Sequence, residues 1–398
     1  MRILLLTFYF PPDLCAGSFR AAALVEALRE QGPAELDIDV LTTLPNRYNS
    51  MDWGAEALEE RERVIIRRFD LPSHRSGMRD QARAFLSYAR QVSESARHGR
   101  YDAVVATSSR LMTAALGARV ARRLATPLYL DIRDLFTDTM ADVLEGSPLK
   151  ALLPGFRWME RSTFRTANRL NVVSAGFLPH IRRVAGEGNY RTFTNGIDQE
   201  FLAKDFGRES SVADPEPLIL YAGNIGEGQG LHEVIPEAAR RLEGRARFRI
   251  IGDGGRRPEL EERLAQMGVT NVELLLPVQR SELMAHYREA DVLLVHLNDH
   301  AAFRKVLPSK VFEYAATGKH VLAGVAGFAA QFIQSEISGA AVFPPCSVEG
   351  LVDGLEQLDR RCWPNGLLAP VDRSEFKEKY AREAIMREMA CDILEMAE

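Results

Sequence analysis

The stretch LILYAGNIGEGQGL, at residues 218–231, decides the fold of the second half of the chain. Its apolar start predicts a buried strand, a glycine-rich turn follows at once, and a helical pattern begins at its end. The glycines and Asn224 leave backbone N–H groups available to face an anion at the start of a helix. The spacing does not match the dinucleotide-binding fingerprint. The stretch therefore predicts a strand–turn–helix unit of an α/β domain, with Asn224 and Gly226 at an anion site.

Short apolar runs alternate with helical patterns on both sides of this stretch, which indicates layers of helices on parallel sheets. Helices are predicted at residues 19–31, 79–97, 112–124 and 156–166, and another at 376–398. Strands are predicted at residues 3–7, 38–41, 64–67, 103–106, 128–131 and 170–173, and then at 218–221, 247–251, 272–275, 292–295, 320–323 and 341–343.

A chain of 398 residues fits two domains better than one. The polar segment 207–217 contains two prolines and has the composition of an interdomain linker. The expected organisation is a Rossmann-like domain over residues 1–206, the linker, a second such domain over 218–375, and a terminal helix over 376–398. Two doubly wound halves joined in this way imply a cleft between the carboxyl ends of two sheets.

The composition is that of an ordinary globular protein, with 46% hydrophobic and 26% charged residues. No window approaches the roughly 20 uninterrupted apolar residues that a membrane span requires. The opening MRILLLTF lacks the cleavage site of a signal peptide, so a buried first strand is expected. The cysteines show neither metal spacing nor a disulfide framework, which predicts a reducing, cytoplasmic environment. They are Cys15, Cys346, Cys362 and Cys391.

Positive charge is concentrated in residues 61–200, which carry 23 Lys and Arg against 14 Asp and Glu. Either solvated helix faces account for this by chance, or the first domain has a basic surface for anionic lipid head groups or a phosphorylated acceptor. Nucleic acid is disfavoured because no recognised binding motif accompanies the charge.

The predicted helix 79–97 has an apolar and a basic side. It either packs on its own sheet or docks peripherally on the inner face of the cytoplasmic membrane. The apolar side consists of Met78, Ala82, Phe85, Leu86, Ala89 and Val92, and the basic side of Arg79, Arg83, Arg90 and Arg97.

The stretch FRKVLPSKVFEYAATGK, at residues 303–319, is the most informative for function. Ser309 is predicted to cap a short helix that Gly318 ends. Lys310 and Glu313 are three residues apart and therefore share one helix face near its start. A carboxylate suits a ribose diol and a cation suits a diphosphate, whereas a surface ion pair between the two is the alternative.

Two segments of the first half also end or follow predicted strands. FYFPPDLCAGS, at residues 8–18, joins the first strand to a helix, and Gly17 permits close backbone approach there. We expect Gly17 to face the cleft and Arg20 to contact a phosphate. DIRD, at residues 131–134, ends a buried strand, where Asp134 either assists the acceptor hydroxyl or belongs to a buried Asp–Arg pair that holds the loop.

Two further turns follow strands of the second half. GDGG, at residues 252–255, offers Gly252 for close approach to an anion, with a plain tight turn as the alternative. PVQ, at residues 277–279, follows the next strand.

In this order and spacing, the segments resemble the retaining glycosyltransferases of GT-B fold, family-four type, in the bacterial envelope-polysaccharide branch that makes O-antigen and capsule. The resemblance covers the whole chain and includes VSAGF at 173–177, TNGID at 194–198 and YREADV at 287–292. It implies an α/β fold of two doubly wound Rossmann-like domains that face a central cleft, with the C-terminal helix returning to the first domain. The first domain would bind the acceptor and the second the nucleotide sugar.

The resemblance implies transfer of a sugar from a nucleoside diphosphate donor, with UDP favoured, to a glycan or a polyprenyl-diphosphate-linked acceptor, with retention of configuration. Lys310 and Arg304 would hold the diphosphate, Glu313 the ribose hydroxyls, and Val278 the base through its backbone. Catalysis would then rest on Lys310, Asp134 and Arg304. The expected donor contacts are Gly17, Asn224, Gly226, Gln229, Gly252, Val278, Lys305, Ser309, Lys310 and Glu313.

The chain departs from the family pattern at the donor site. The family usually carries two glutamates in the spacing Glu-x7-Glu, whereas Lys305 stands eight residues before Glu313. Asn224 and Gln229 stand where the family has Arg and Lys. We infer that Lys310, with Arg304 or Lys305, supplies the positive charge instead.

No cofactor and no protein-bound metal are expected from this resemblance. Asp37-Ile38-Asp39 has the form of a metal-binding Asp-x-Asp motif but falls in a predicted strand. Two rival functions stay open. A GT-B sugar-nucleotide 2-epimerase would convert the donor without an acceptor, and the Pro-Ser-Lys segment speaks against it. A non-catalytic nucleotide-sugar-binding subunit would depend on a partner, and the substitutions at the donor site motivate it.

Overall fold

The computed structural model describes residues 1–13, 15–45, 54–72, 78–108, 111–143, 148–207, 216–362 and 370–398. They form two compact units. One comprises Met1–Asn195 together with Arg382–Glu398, and the other comprises Gly196–Ala381. In these ranges no helix has both the length and the apolar composition needed to cross a membrane.

Eight strands in the described part of the first unit form one sheet. Its spatial order is β3-β4-β2-β1-β5-β6-β7-β8, and all neighbours are parallel except β3 and β4. The order reverses between β1 and β5, whose carboxyl ends therefore open the crevice in which doubly wound sheets bind ligands. The strands are β1 (Arg2–Leu6), β2 (Asp37–Thr43), β3 (Leu58–Arg61), β4 (Val64–Phe69), β5 (Ala103–Ser108), β6 (Leu128–Ile132), β7 (Arg169–Val172) and β8 (Tyr190–Arg191).

Helices connect these strands. They are α1 (Ala16–Gln31), α2 (Met78–Ser95), α3 (Leu111–Leu124), α4 (Phe136–Val143), α5 (Leu153–Phe164) and α6 (Leu178–Ala185). The strands between them read as nearly continuous apolar runs because helices cover both faces of a parallel sheet. Residues Ile3 to Leu6 of β1, for example, have no exposed surface.

The described part of the second unit has a sheet of six parallel strands in the order β11-β10-β9-β12-β13-β14. Here the order reverses between β9 and β12. The strands are β9 (Leu218–Ala222), β10 (Arg247–Ile251), β11 (Val272–Leu275), β12 (Val292–His296), β13 (His320–Gly324) and β14 (Ala340–Phe343). The helices are α7 (Gln199–Ala203), α8 (Leu231–Arg241), α9 (Arg257–Gln266), α10 (Arg280–Glu289), α11 (Lys310–Ala316), α12 (Phe328–Glu336), α13 (Val348–Cys362) and α14 (Ser374–Lys379). The α/β fold with two doubly wound sheets is thus confirmed.

The boundary between the units differs from the one expected at residue 206. The first unit ends at Asn195. Ile197, Phe201 and Phe206 are buried in the core of the second unit, which is why the chain changes units before them. Residues 208–215, most of the expected linker 207–217, lie outside the described residues.

The helix expected over residues 376–398 is two helices. α14 ends at Lys379, and α15 (Arg382–Ala397) follows. The break occurs because the backbone between them pairs with residues 196–198: the Ile197 N–H donates to the Tyr380 carbonyl at 2.7 Å. α14 belongs to the second unit, and α15 packs on α1 in the first.

The apolar side of α2 also differs from the expectation. Phe85, Tyr88 and Val92 are buried, but Leu86 is 64% exposed and Ala82 is exposed as well. The side chains of Met78 and Arg79 lie outside the described set. Because α2 packs through positions 85, 88 and 92, Leu86 points away from the sheet and among the exposed arginines.

Candidate functional site

Two glycine-rich turns meet at the carboxyl edge of the second sheet, where β9 and β10 end. The Gly223 N–H donates to the Ile251 carbonyl at 2.7 Å. A Cβ on Gly252 would collide with the Gly223 carbonyl, and a Cβ on Gly254 would come too close to the Ile225 carbonyl. The glycines are therefore required for the turns after β9 and β10 to touch, next to the reversal of strand order between β9 and β12, where such sheets bind ligands.

Lys310 reaches the first of these turns from α11. A Cβ on Gly223 would collide with Lys310 Nζ, so the absence of a side chain lets the ammonium lie against the backbone of the turn. Its Nζ is 5.7 Å from the centre of the Tyr221 ring. Burial lowers the pKa of Lys310, and the nearby Glu313 carboxylate opposes that shift. The structure thus brings together the predicted lysine, the predicted glutamate and the glycine-rich turn.

Tyr314 fixes α11 at this edge. Its buried hydroxyl accepts a hydrogen bond from the Ala222 N–H, at 3.1 Å, where β9 ends. Its ring packs on Tyr287 of α10, with centres 5.6 Å apart. Lys310 and Glu313 start from the same anchored helix, so their positions at the strand end are set by a buried contact.

Arg280 of α10 adds a cation near Glu313. Its Nη2 donates to Asp198 Oδ2 and its Nε to Glu200 Oε2, each at 2.6 Å. Burial alone would lower the pKa of Arg280, but Asp198, Glu200 and Glu313 together raise it. The guanidinium also lies 5.5 Å from the centre of the Phe201 ring. Sequence reasoning missed Arg280 because it stands 33 positions away from Glu313 in a helix without a recognisable motif.

Asn224 and Gln229 bond to each other within the glycine-rich turn. Asn224 Nδ2 donates to Gln229 Oε1 at 2.6 Å, and the Gly226 N–H donates to the same oxygen at 3.3 Å. The Tyr221 hydroxyl donates to the Asn224 carbonyl at 2.7 Å. The three residues predicted as donor contacts are brought together, and their amide pair braces the turn.

Arg304 and Lys305 belong to the short 3-10 turn Phe303–Lys305. Phe303 packs closely against the glycine-rich turn at Gly228. An added Cβ on Gly228 would lie only 2.8 Å from the Phe303 Cζ. Arg304 Nη2 donates to Asp299 Oδ1 at 3.0 Å, and both side chains are about half exposed. Lys305 is half-buried. Arg304 is therefore engaged in a solvent-exposed ion pair.

Ser309 precedes α11 but does not cap it. Its backbone is helical, with φ −59° and ψ −29°, and its side chain makes no capping hydrogen bond. The Val311 N–H bonds to the Pro308 carbonyl at 3.1 Å instead, so the turn begins before Ser309 and the predicted cap is wrong. Val278, beyond the end of β11, is half-buried and packs against the core of the second unit.

His296, at the end of β12, is a buried neutral imidazole that belongs to no recognisable sequence motif. Its Nδ1 bonds to the Gln229 carbonyl at 2.5 Å, and its Nε2 accepts from the Cys346 N–H at 3.0 Å. These partners place the proton on Nδ1. Burial lowers the pKa of His296 to about 4, against the effect of the Gln229 carbonyl. His296 therefore holds the glycine-rich turn to the neighbouring strand ends.

Arg20 and Asp131 form a buried ion pair in the first unit, with both side chains 1% exposed. The Arg20 guanidinium also donates to the carbonyls of Phe193 and Thr194. Asn171 Nδ2 donates to Asp131 Oδ1 at 2.7 Å. The expectation that Arg20 contacts a phosphate is wrong, because its donors are taken up inside the core. The DIRD segment does contribute to a buried Asp–Arg pair, but through Asp131 and not Asp134, and the arginine is Arg20 of α1.

Gly17, Arg133 and Asp134 lie at the carboxyl edge of the first sheet. A Cβ on Gly17 would collide with Arg133 Nη1. Burial lowers the pKa of Arg133 to about 10. Burial raises the pKa of Asp134 to about 6, although the Leu135 N–H and Arg133 oppose that shift. A carboxyl group that titrates near neutral pH is suited to accept a proton from a substrate hydroxyl.

Asp39, of the Asp-x-Asp sequence, lies in β2 as expected. It accepts hydrogen bonds from Arg2 Nη2 and from the Tyr101 hydroxyl, each at 2.7 Å. Within the residues that the structure describes, no three His, Cys, Asp or Glu side chains are grouped so that they could hold a metal ion.

Family models match both halves of the chain. The model described as "Glycosyl transferase 4-like domain" matches residues 17–196, and "Glycosyl transferases group 1" matches residues 204–360. The two matches meet close to the boundary between the structural units at residues 195 and 196. Each half is therefore recognised separately, and in the expected order.

Two curated proteins are similar over part of the chain. The Escherichia coli protein WcaI, named as a glycosyl transferase of colanic acid biosynthesis, is 31% identical over 188 residues, 46% of this chain and 44% of that protein. An uncharacterized glycosyltransferase of Methanocaldococcus jannaschii is 29% identical over 153 residues, 37% of this chain and 38% of that protein. The match thus spans less than half the length of either relative.

Solved structures resemble the chain over nearly its full length. Sucrose-phosphate synthase from Thermosynechococcus elongatus superposes with a TM-score of 0.72 at 14% identity, covering 98% of both chains. Anabaena HepE in complex with UDP-glucose superposes with a TM-score of 0.70 at 14% identity, covering 99% of both. At this level of identity the likeness shows the fold.

Proposed function

The chain belongs to the group 1 glycosyltransferases of GT-B fold, with a glycosyl transferase 4-like first domain, and from that premise we propose that it transfers a sugar from a nucleoside diphosphate donor to a glycan or lipid-linked acceptor. The observation that carries the proposal is the contact between Lys310 Nζ and the backbone of Gly223 at the strand-order reversal of the second sheet. A cation and a glycine-rich turn at one strand end are what a diphosphate requires.

In this proposal Lys310 neutralises charge on the departing diphosphate, with Arg304 and Lys305 as further cations. Glu313 accepts hydrogen bonds from the ribose hydroxyls, and Arg280, whose pKa Glu313 helps to raise, adds positive charge near that carboxylate. Asn224, Gly226, Gln229 and Gly252 form the phosphate-facing turns. Ser309 completes the donor contacts of the second unit, and the backbone at Val278 meets the base.

The proposed reaction keeps the anomeric configuration. The acceptor oxygen bonds to the anomeric carbon on the face from which the diphosphate departs, and the bond from that carbon to the diphosphate oxygen breaks. The acceptor proton passes to the departing phosphate, and Asp134 orients the hydroxyl or assists in removing the proton. The pKa of Asp134, raised to about 6 by burial, suits this role at neutral pH.

UDP is the proposed nucleotide, and envelope polysaccharide synthesis the proposed process. HepE, which shares the fold, was solved with UDP-glucose, and the name of WcaI refers to colanic acid. We place the enzyme on the cytoplasmic side, in keeping with Cys15, Cys346 and Cys391, which form no disulfide in the described part of the chain. Peripheral contact with an anionic membrane is supported by Leu86, which is 64% exposed on a helix that carries arginines.

Thermal shifts of the purified chain test the proposal, with UDP, GDP, ADP and dTDP each added with and without EDTA. One nucleotide should raise the melting temperature, EDTA should leave that shift intact, and Glu313→Ala should abolish it. Product analysis with the corresponding nucleotide sugar then separates the candidate functions. Conversion of the donor by the protein alone would indicate an epimerase, and no shift with any nucleotide would point to a partner-dependent binding subunit.

A further inference from the structure

The guanidinium of Arg133 lies where ligands enter a doubly wound sheet. Arg133 follows β6, and its N–H donates to the Ser108 carbonyl at the end of β5, at 2.9 Å. β5 adjoins β1 at the reversal of strand order in the first unit. From the β1 side, Gly17 at the start of α1 leaves the space into which Arg133 Nη1 extends. The Arg133 side chain can therefore lie at the ligand-binding edge because Gly17 has no side chain to occupy that space.

Arg133 lacks the partners that satisfy its neighbours. Its Nε is buried and donates no hydrogen bond to the described residues, although the side chain as a whole is partly exposed. Arg20 is paired with Asp131 at two points, and Arg382 donates to the Asn195 carbonyl at 2.7 Å. Within the described part of the chain, the Arg133 side chain forms no comparable hydrogen bond or ion pair.

Charged groups of both signs surround Arg133. Arg20, Arg382 and the Asp131 and Asp134 carboxyl groups lie near it, and Asp138 adds a carboxyl group beside Asp134. The Asp131 carboxylate is occupied by Arg20, and burial disfavours the ionised form of Asp134. A buried guanidinium nitrogen without a hydrogen-bond acceptor is costly, and an oxyanion brought by a ligand would remove that cost.

We propose that Arg133 binds an oxyanion, either a phosphate or a carboxylate, carried by the acceptor substrate. The planar guanidinium matches both oxyanions at two points, and Gly17 provides the room that this geometry needs. Assigning the anion to the acceptor rests on the proposed transferase function, in which Lys310 and the glycine-rich turn of the second unit hold the donor. The binding itself does not depend on transfer.

Isothermal titration of the full chain tests this inference. Inorganic phosphate represents a phosphate group and methyl glucuronide represents a carboxylate group. Methyl glucoside is the neutral analogue of methyl glucuronide. Each is titrated into the unchanged chain and into Arg133→Met, Gly17→Ala and Lys310→Met, with Arg123→Met, an exposed arginine on α3, as the matched control.

One of the two anions should bind, and the neutral glycoside should not. Arg133→Met should lower the affinity for the anion about tenfold or more, because a charge-assisted hydrogen bond is lost. Gly17→Ala should also lower this affinity, because the added methyl group displaces the Arg133 guanidinium without removing its charge. Arg123→Met should bind as the unchanged chain does, and Lys310→Met should keep the anion binding that Arg133→Met loses.

The inference is overturned if neither anion binds, or if Arg133→Met and Gly17→Ala bind as tightly as the unchanged chain. Loss of binding in Lys310→Met instead would assign the anion to the second unit and overturn it as well. UDP titrations on the same samples keep the proposals distinguishable. UDP binding without anion binding would reject only the Arg133 site, and the reverse would reject the donor site.

Discussion

Arg20 and Asp131 face each other inside the first unit as a two-point ion pair, with Nε–Oδ2 at 2.9 Å and Nη2–Oδ1 at 3.0 Å. The pair joins α1 to β6, and Asn171 extends it to β7. Burial by itself would raise the pKa of Asp131, but its bonds from Arg20 and Asn171 lower it overall. The pair is therefore ionised, fully hydrogen-bonded and part of the core.

Replacing one member should destabilise the first unit strongly. Arg20→Met or Asp131→Asn leaves a buried charge without its partner, which typically costs about 3–5 kcal/mol. Chemical denaturation measures the loss. Arg90→Met is the matched control, since its pair with Glu94 is exposed and should contribute less than about 1 kcal/mol. Because the pKa of Asp131 is depressed on folding, its contribution should be full above the ordinary Asp pKa and fall as the pH drops below it.

Gly223→Ala should disrupt the donor site. The new methyl group would collide with Lys310 Nζ, and the glycine has a φ of +154°, which side chains disfavour. We expect UDP affinity to fall about tenfold or more, as when one charge-assisted contact is lost. Gly255→Ala is the control, because a Cβ there would meet no atom within 4 Å. Equal affinities for the two variants would refute this account of Gly223.

UDP binding should weaken at alkaline pH. Only the ammonium form of Lys310 attracts a diphosphate, and burial lowers the pKa of Lys310 below its usual 10.5. Affinity should therefore decrease as the pH rises from 7.5 towards that pKa. Lys310→Met should bind about 10- to 100-fold more weakly at pH 7.5 and show a flatter profile. Lys379→Met, a change of an exposed lysine, should retain the profile of the unchanged chain.

Activity should rise with pH through a group with a pKa of about 6. Asp134 is ionised above that value, and only its carboxylate can accept a proton. Asp134→Asn should lower kcat by about 10²- to 10⁴-fold and remove this limb of the profile. Since burial penalises the charged form, the same variant should unfold at an equal or higher temperature at pH 7.5. Near-normal turnover with an intact fold would end this assignment.

Anionic vesicles should recruit the chain through α2. Leu86 is 64% exposed between the exposed arginines Arg83 and Arg90, so an apolar insertion and an electrostatic contact coincide. Co-sedimentation with phosphatidylglycerol vesicles should be lost at 0.5 M salt, at which charges are screened beyond about 4–5 Å. Leu86→Gln with Arg83→Gln should abolish it and Arg123→Gln should not. Absence of binding at low salt would exclude docking.

The buried strands were predictable because parallel strands covered on both faces form continuous apolar runs. β10 and β11 begin and end where the sequence places them. β3 and β8 were missed: Leu58–Arg61 is mostly charged at a sheet edge, and Tyr190–Arg191 has two residues. Hydrophobicity gives no signal for strands that are held by backbone pairing alone.

The site was predictable where local spacing sets the geometry. Lys310 and Glu313 share one helix face whatever the rest of the chain does, and glycine-rich turns follow strands. The phosphate role predicted for Arg20 was wrong because a sequence does not show that Arg20 will pair, inside the core, with a carboxylate 111 residues away. Arg280 and Arg133 were missed for the same reason, since their neighbours come from distant parts of the chain.

The placement of α15 has a consequence for biosynthesis. Buried Met386, Met389 and Ile393 pack it into the first unit, and Asp392 accepts hydrogen bonds from Arg169 and Arg191. A ribosome makes these residues only after the entire second unit. The first unit must therefore wait, with the side of α1 that receives α15 uncovered, until α15 has been synthesised. The second unit, one unbroken segment, can fold first even though it is made later than most of its neighbour.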